Sequence, residues 1–338
     1  MSKPTTPMEL VAPAGSLAAL KAALAAGADA VYVGLKNGTN ARNFVGLNFD
    51  TDSLRQGIDL AHSLHRKVLF AINTYPQPGR TAEWRQAIDQ AVLLGADAVI
   101  LADPGLLHYA CQRYPDLRLH LSVQGSATHA DAIALMHEQC GIQRVVLPRV
   151  LTLREIARLV EVSPVEIEVF GFGSLCVMAE GRCLLSSYAT GDSPNNKGVC
   201  SPAHAVRWQE KNQTLEARLG GVLIDAYGPG ENAAYPTLCK GRFMVQGERD
   251  HALEEPTSLN AIGLLPQLVE MGISALKIEG RQRSPAYVSQ VVQVLRAALD
   301  SAQANPHRFS VRPEWQTRLA AQAEGTQVTQ GAYERPWK

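Results

Sequence analysis

An alternation of helices and strands recurs along the chain and limits the folds that it can adopt. Residues 22–35 and 90–103 read AALAAGADAVYVGL and QAVLLGADAVILAD, so that a helix ends at Gly27 or Gly95 and a β-rich strand follows. Glycine can take the left-handed conformation that ends a helix. The strands are short and apolar without alternation, which is typical of a parallel sheet buried on both faces.

The same pattern extends over most of the sequence. It predicts strands at 8–13, 29–35, 67–74, 97–102, 118–124, 143–148, 166–171 and 275–279. It predicts helices at 16–26, 52–65, 81–94, 104–114, 129–140, 152–162, 259–271 and 285–303. Eight strands with eight helices favour a TIM-like (β/α)8 barrel over an open doubly wound sheet, which is also built from βα units.

The pattern is interrupted once, after the seventh strand. Residues 172–258 are rich in Gly, Ser, Asn and Pro and contain four of the six cysteines. A segment this long inside a compact domain is usually functional, and after a barrel strand it leaves from the face where active sites lie. We therefore predict a barrel domain over 8–303 that includes this insertion, and a C-terminal tail, 304–338, packed on the barrel.

The four cysteines of the insertion are candidate metal ligands. Cys176, Cys183, Cys200 and Cys239 have the spacing C-x6-C-x16-C-x38-C, with Gly or Pro close to each. A zinc ribbon normally supplies close C-x2–4-C pairs, which are absent, whereas the irons of a cluster are spread over several ångströms. The spacing favours an iron–sulfur cluster but leaves a zinc site and unligated thiols open. Cys111 and Cys140 lie in apolar helix contexts and read as small buried side chains.

Polar residues follow the predicted strands and would converge at one mouth of the barrel. They are Asn40 and Arg42 after strand two, Asn73 after three, Asp103 after four, Gln124 after five, Arg149 after six, and Glu279 and Arg281 after eight. Convergent polar groups at this face indicate a substrate site, although loop hydrogen bonds and ion pairs would produce the same pattern. Glu180 and Arg182 lie between the first two cysteines and are further candidates.

Composition excludes several classes of protein. Lys plus Arg and Asp plus Glu are both 32, so the net charge is zero and a basic nucleic-acid-binding surface is not expected. No apolar run is long enough for a transmembrane helix, and the start, MSKPTTP, lacks the apolar region of a secretory signal. We expect a cytoplasmic protein with reduced thiols.

Several longer segments resemble the collagenase-like peptidase family U-32. They are ELVAPAGSLAALKAALAAGADAVYVG, NARNF, FGFGSLCVMAEGRC, YPTLCKGR and KIEGRQRSPAYV, within a similarity that runs from about residue 8 to 300 and further. Within the family, GLKNGTNARNF, RVVLPRV, EEPTSLN and GAYERPW are similar to members of oxygen-independent ubiquinone biosynthesis.

This resemblance implies a barrel-like fold and a [4Fe–4S] cluster on Cys176, Cys183, Cys200 and Cys239. It also implies O₂-independent hydroxylation of the aromatic ring of ubiquinone precursors. The implied partners are a paralogous, UbiV-like chain in a heterodimer and a lipid-binding accessory protein. Two other activities of the family remain alternatives, peptide hydrolysis and RNA-base modification. We find neither H-E-x-x-H nor a nucleophile elbow for the first, and the balanced charge argues against the second.

Overall fold

A computed structural model describes residues 7–231, 233–325 and 327–335. The strands are β1 (Glu9–Pro13), β2 (Ala30–Val33), β3 (Lys67–Ile72), β4 (Ala98–Leu101), β5 (Leu119–Leu121), β6 (Arg144–Val146), β7 (Glu166–Ser174), β8 (Val206–Lys211), β9 (Thr214–Leu219), β10 (Val222–Tyr227), β11 (Arg242–Val245), β12 (Glu248–His251), β13 (Thr257–Asn260), β14 (Ala275–Ile278) and β15 (Gln327–Thr329). The α-helices are α1 (Leu17–Ala25), α2 (Thr51–Ser63), α3 (Thr81–Leu93), α4 (Pro104–Arg113), α5 (Ala130–Cys140), α6 (Leu153–Val162), α7 (Leu185–Thr190), α8 (Pro194–Lys197), α9 (Leu265–Met271), α10 (Pro285–Ala304) and α11 (Pro313–Ala320).

The predicted (β/α)8 barrel is confirmed. Strands β1 to β7 pair in chain order, each parallel to the next, and β14 pairs in parallel with both β7 and β1, which closes the barrel. The main apolar core lies between the strands and the surrounding helices. Capping residues and prolines in the local sequence determine where several helices begin. Asp103 caps α4 by accepting a hydrogen bond from the backbone N–H of Leu106, and Pro104 occupies the first turn.

The predicted helix at 259–271 begins too early. Residues Thr257–Asn260 form β13, which pairs antiparallel with the end of β7, and α9 begins only at Leu265. Pairing with a strand distant in sequence supplies the hydrogen bonds that this segment would otherwise make within a helix. The insertion is also more ordered than its composition indicated, because β8–β10 form a three-stranded sheet and β11–β12 a hairpin.

The segment after α10 packs against the barrel domain. Arg318 of α11 donates hydrogen bonds to Gln290 and Gln293 of α10, and β15 pairs in parallel with β13. Residues 326 and 336–338 of the predicted tail lie outside the described residues. The described part of the chain contains no helix with the length and apolar character needed to cross a lipid bilayer.

A network of charged side chains, all contributed by barrel strands, replaces part of the apolar packing. The fully buried Glu168 carboxylate accepts hydrogen bonds from Lys277 Nζ (2.6 Å) and Arg144 Nη1 (3.3 Å). Arg144 also donates to Glu9 (2.7 Å), which pairs with Lys67. The opposite charges of the network compensate one another, which buried ionised groups require.

Replacing Glu168 by Gln is expected to lower the free energy of unfolding by about 3–5 kcal/mol, because the buried Lys277 would lose its ionised partner, whereas Arg144 would keep Glu9 and Glu166. Urea unfolding of the variant and the wild type measures this difference. Glu83→Gln, which breaks an exposed pair with Arg80, is the control and should change stability by less than ~1 kcal/mol. Equal effects of the two substitutions would contradict the importance of the network.

Glu166, at the start of β7, gives this network a dependence on pH. Burial raises the pKa of its carboxyl, but the charges of Arg144 and Arg118 outweigh burial and hold the pKa below its usual value of 4.5. The carboxylate therefore stabilises the fold above about pH 4.5, and this contribution is lost as the pH falls through the lowered pKa. We expect Glu166→Gln to destabilise the protein at pH 7, and the difference from wild type to shrink below pH 4.5. Unfolding free energies measured from pH 7 to 3 test this, with the exposed Glu138→Gln as control; a constant difference would contradict it.

Candidate functional site

A cavity of about 550 Å³ lies at the C-terminal mouth of the barrel, between the strand ends and the insertion. Seven of the predicted candidate residues line it, namely Arg42, Asn73, Gln124, Arg149, Glu180, Glu279 and Arg281. The four cysteines of the insertion line the same cavity. Barrel mouth and insertion therefore form a single site.

Two ion pairs border the cavity, one between the buried Arg149 and Glu180 and one between the half-buried Arg42 and the buried Glu279. Arg149 Nε donates to Glu180 Oε1 (2.6 Å), and Arg42 Nε donates to Glu279 Oε1 (3.3 Å). Burial raises the pKa of Glu279, but Arg42 and Arg149 outweigh it and the pKa is lowered, so this carboxyl is ionised at neutral pH. The second oxygen of Glu180 has no hydrogen-bond partner among the described residues.

Ser174, the last residue of β7, connects the two ion pairs. Its backbone N–H donates to Glu279 Oε2 (3.3 Å), and its carbonyl oxygen accepts from Arg149 Nη1. The preceding Gly173 has a φ of 125°, and a Cβ there would lie 2.6 Å from the Cβ of Glu279. Glycine is therefore required for β7 to approach the end of β14 this closely.

Asn40 supports the wall of the cavity from behind. It is fully buried, donates to the Leu35 carbonyl oxygen (2.6 Å) and accepts from Arg281 Nη1 (3.0 Å). Burial lowers the pKa of Arg281 to about 10, and its guanidinium lies 5.6 Å from the ring centre of Tyr32. Asn40 thus orients a cationic lining residue without lining the cavity itself.

The four cysteines reach the cavity from different elements. Cys176 follows β7, Cys183 precedes α7, Cys200 follows α8, and Cys239 lies in a 3-10 turn. The loop before Cys200 is held at Gly198, which has a φ of 80° and whose carbonyl oxygen accepts from the Arg42 N–H (2.7 Å). All four side chains are half-buried, and no thiol is in a disulfide.

Burial and nearby arginines shift the pKa values of the thiols in opposite directions. Burial, followed by the charge of Glu180, raises the pKa of Cys176 to about 12, while Arg149 opposes this shift. Burial also raises the pKa of Cys200, which Arg42 opposes. Thr237 Oγ1 lies 3.4 Å from Cys239 Sγ, within hydrogen-bonding distance of the sulfur. Burial outweighs the arginines, so the thiols of Cys176 and Cys200 are protonated at neutral pH, and a metal that bound them would release these protons.

The four thiols line one cavity without converging on a single point. Among the described residues, no three His, Cys, Asp or Glu side chains converge on a point where one metal ion could bind. The four thiols are nevertheless distributed around one cavity. Thiolates spread in this way can hold an iron–sulfur cluster, whose irons are several ångströms apart, more readily than a tetrahedral zinc ion.

Two of the predicted residues do not join the site. Arg182 is exposed, its Nη2 donates to the Ser126 carbonyl oxygen (3.1 Å), and it does not line the cavity. Asp103 is the cap of α4, the local role that its position before Pro104 indicated. Gln124 does line the cavity, but it lies in a 3-10 turn after β5 instead of within the strand.

Other lining residues were not predicted. Tyr32, Lys240, Lys277 and Glu324 line the cavity, and Tyr235 packs edge-on against Phe44 beside it. Lys277 is a charged residue inside the otherwise apolar strand of ALKIEG, and this feature could have identified it as a residue of the site. No comparable signal existed for Glu324, because its partners lie far away in the sequence.

The fold and the site define a class of protein, a (β/α)8 barrel whose seventh-strand insertion brings four cysteines over a polar mouth. The chain belongs to peptidase family U32, whose family model matches residues 15–336.

Relatives in this family include proteins named for hydroxylation. The chain is 35% identical over 317 residues to "tRNA hydroxylation protein P" of Escherichia coli (strain K12), a match that covers 88% of this chain and 68% of the relative. It is 27% identical to the "23S rRNA 5-hydroxycytidine C2501 synthase" of the same organism, covering 87% of this chain and 39% of the relative. A solved structure, that of the U32 peptidase Mk0906, is 15% identical, covers 83% of this chain and 96% of its own, and superposes with a TM-score of 0.48.

Proposed function

We propose that the protein is the iron–sulfur subunit of a cytoplasmic, O₂-independent hydroxylase that acts on the aromatic ring of ubiquinone precursors, the role of UbiU. The observation that supports this proposal is the cavity, which is lined both by the four cysteines and by the polar residues at the mouth of the barrel. Cys176, Cys183, Cys200 and Cys239 would hold a [4Fe–4S] cluster. A UbiV-like chain would complete a heterodimer, and a lipid-binding accessory protein would present the quinone precursor.

A bound cluster would supply one-electron transfer, a chemistry that needs no O₂. The protein residues bind and orient the substrate. Glu279 stays ionised between Arg42 and Arg149, so it accepts hydrogen bonds and does not donate a proton at neutral pH. The Arg149 guanidinium lies 4.5 Å from the ring centre of Phe170, which fixes a cation and an aromatic surface side by side.

The size and lining of the cavity support a ring-containing substrate. About 550 Å³ is within the usual range for small-molecule sites. Phe44, Phe170 and Tyr235 supply aromatic surface, and Val177 and Met178 supply aliphatic surface. Apolar walls with a few convergent polar groups bind an aromatic ring and set its orientation.

RNA-base hydroxylation is the second candidate. The names of two relatives, which refer to tRNA and 23S rRNA, favour it. A pyrimidine ring would also fit the cavity by size. The net charge of zero argues against it, because RNA-binding proteins generally carry a basic surface.

Peptide hydrolysis has less support. The described residues that line the cavity include no histidine, so a Ser–His or Cys–His pair is missing there. The metal ligands of a metallopeptidase are also missing from the described part of the chain.

Anaerobic purification, alone and together with a UbiV-like chain, tests the cofactor. We expect about four iron and four sulfide ions per chain and a brown colour that fades in air. A colourless, iron-free protein with one zinc per chain would contradict the proposal.

The substrate is tested in an anaerobically grown strain that lacks the protein. We expect ubiquinone to fall and its under-hydroxylated precursors to accumulate, while hydroxylated nucleosides in tRNA and rRNA stay unchanged. Complementation with the wild type and with Cys200→Ala provides the matched control. Loss of a hydroxylated nucleoside with normal ubiquinone would favour the RNA candidate instead.

A further inference from the structure

We propose that Glu324, in the C-terminal segment, is a positioning residue of the four-cysteine site. Its carboxylate joins the chain beside Cys176 to the chain beside Cys239. The inference rests on the proposed function, since it assigns to Glu324 the task of holding the cluster ligands in place.

A single carboxylate oxygen makes both connections. Glu324 Oε2 accepts hydrogen bonds from Ser174 Oγ (2.6 Å) and from Lys240 Nζ (2.8 Å). Ser174 lies two residues before Cys176, and Lys240 directly follows Cys239. These two cysteines are the first and last of the four, so their separation is not set by any short stretch of chain.

The bridge is buried and anchored. The side chains of Lys240 and Glu324 are 7% and 6% exposed, respectively. The backbone N–H of Glu324 donates to Ser258 Oγ (2.7 Å), and Ser258 is paired with Ser174 in the register of β13 and β7. The backbone of Glu324 is therefore held by β13 and its side chain by β7 and Lys240, which leaves the carboxylate little freedom to move.

The bridge also connects the cysteines to the substrate side of the cavity. Ser174 hydrogen-bonds to Glu279 and Arg149 through its backbone and to Glu324 through its hydroxyl. Ala323, Glu324 and Gly325 themselves line the cavity. The sequence predicted that the C-terminal tail only packs on the outside of the barrel. The segment after α11 is instead part of the site.

Four full-length variants test this. Glu324→Ala removes both hydrogen bonds, whereas Glu324→Gln retains an oxygen that can accept both and loses only the charge. Lys240→Met/Glu324→Ala removes the bridge without leaving an unpaired buried lysine. Glu334→Gln replaces an exposed glutamate of the same segment and is the control. The readouts are the rate of iron loss to a chelator under anaerobic conditions, the EPR spectrum of the reduced protein, and the thermal melting temperature.

We expect Glu324→Ala and the double variant to lose iron roughly tenfold faster than wild type, the lower end for residues that support metal ligands. Glu324→Gln should fall between them and wild type with a shifted EPR spectrum, and Glu334→Gln should match wild type. Iron loss in Glu324→Ala equal to that in Glu334→Gln would overturn the inference. Wild-type behaviour of the double variant would also overturn it, because the defect would then come from the unpaired lysine. A wild type without iron would overturn the proposed function itself, a result distinct from either.

Discussion

Replacing any one of Cys176, Cys183, Cys200 or Cys239 by Ala is expected to remove most of the bound iron and to abolish hydroxylation. All four thiols line the same cavity, and a cubane held by three thiolates loses one iron site to solvent. Iron and sulfide analysis of the anaerobically purified variants measures the first effect, and the ubiquinone content of complemented cells measures the second.

Cys111→Ala and Cys140→Ala are the matched controls for these substitutions. Cys140 is buried in the apolar core, and the Cys111 thiol donates to the His108 carbonyl oxygen (3.2 Å) within α4. Both variants should keep their iron. If Cys111→Ala lost iron while Cys200→Ala retained it, the ligand assignment would be wrong.

Glu279→Gln is expected to lower hydroxylation by roughly 100-fold, the scale on which misplacing a bound substrate reduces the rate, while iron stays near the wild-type level. The substitution keeps the shape of the side chain but removes the negative charge that Arg42 and Arg149 hold ionised. Ubiquinone precursors and iron per chain are measured on the same preparations, so that loss of activity is separated from loss of the cluster.

The stability of Glu279→Gln must be measured alongside, because Arg42 would lose its buried partner. Glu9→Gln, at the opposite end of the barrel, removes a carboxylate from another charged network and serves as the control. Its activity should fall only in proportion to its loss of folded protein. Equal activity losses in the two variants would contradict a role for Glu279 in the reaction.

The barrel could be predicted from the sequence because its signals are local. Each unit has an apolar strand, a helix and a glycine such as Gly27 or Gly95, which takes a positive φ as expected. Helices such as α1 and α4 pack against the strands next to them in the chain, so this contact depends only on residues that are close in sequence. Where a distant partner decided the structure, the prediction was wrong, as for residues 259 and 260, which pair with β7 instead of beginning the helix predicted at 259–271.

The residues of the site also fall into those that the sequence predicted and those that it did not. Residue type, spacing and position after a strand were enough to select the four cysteines, Arg42, Arg149 and Glu279 as candidates, and the structure places them around one cavity. The same criterion also selected Asp103 and Arg182, whose side chains serve a helix cap and a loop. Position after a strand places a residue at the mouth but does not determine where its side chain points.

By itself, the sequence determined the barrel and several of the residues at its mouth, because strand order and the period of the pattern are encoded locally. Only the tertiary structure decided which of them meet. Glu180 pairs with Arg149, Glu279 with Arg42, and Glu324 with Lys240, all across long separations in the chain. A buried charge must find an opposite charge within hydrogen-bonding distance, and that distance is set by the closure of the barrel and the path of the insertion, which no local pattern contains.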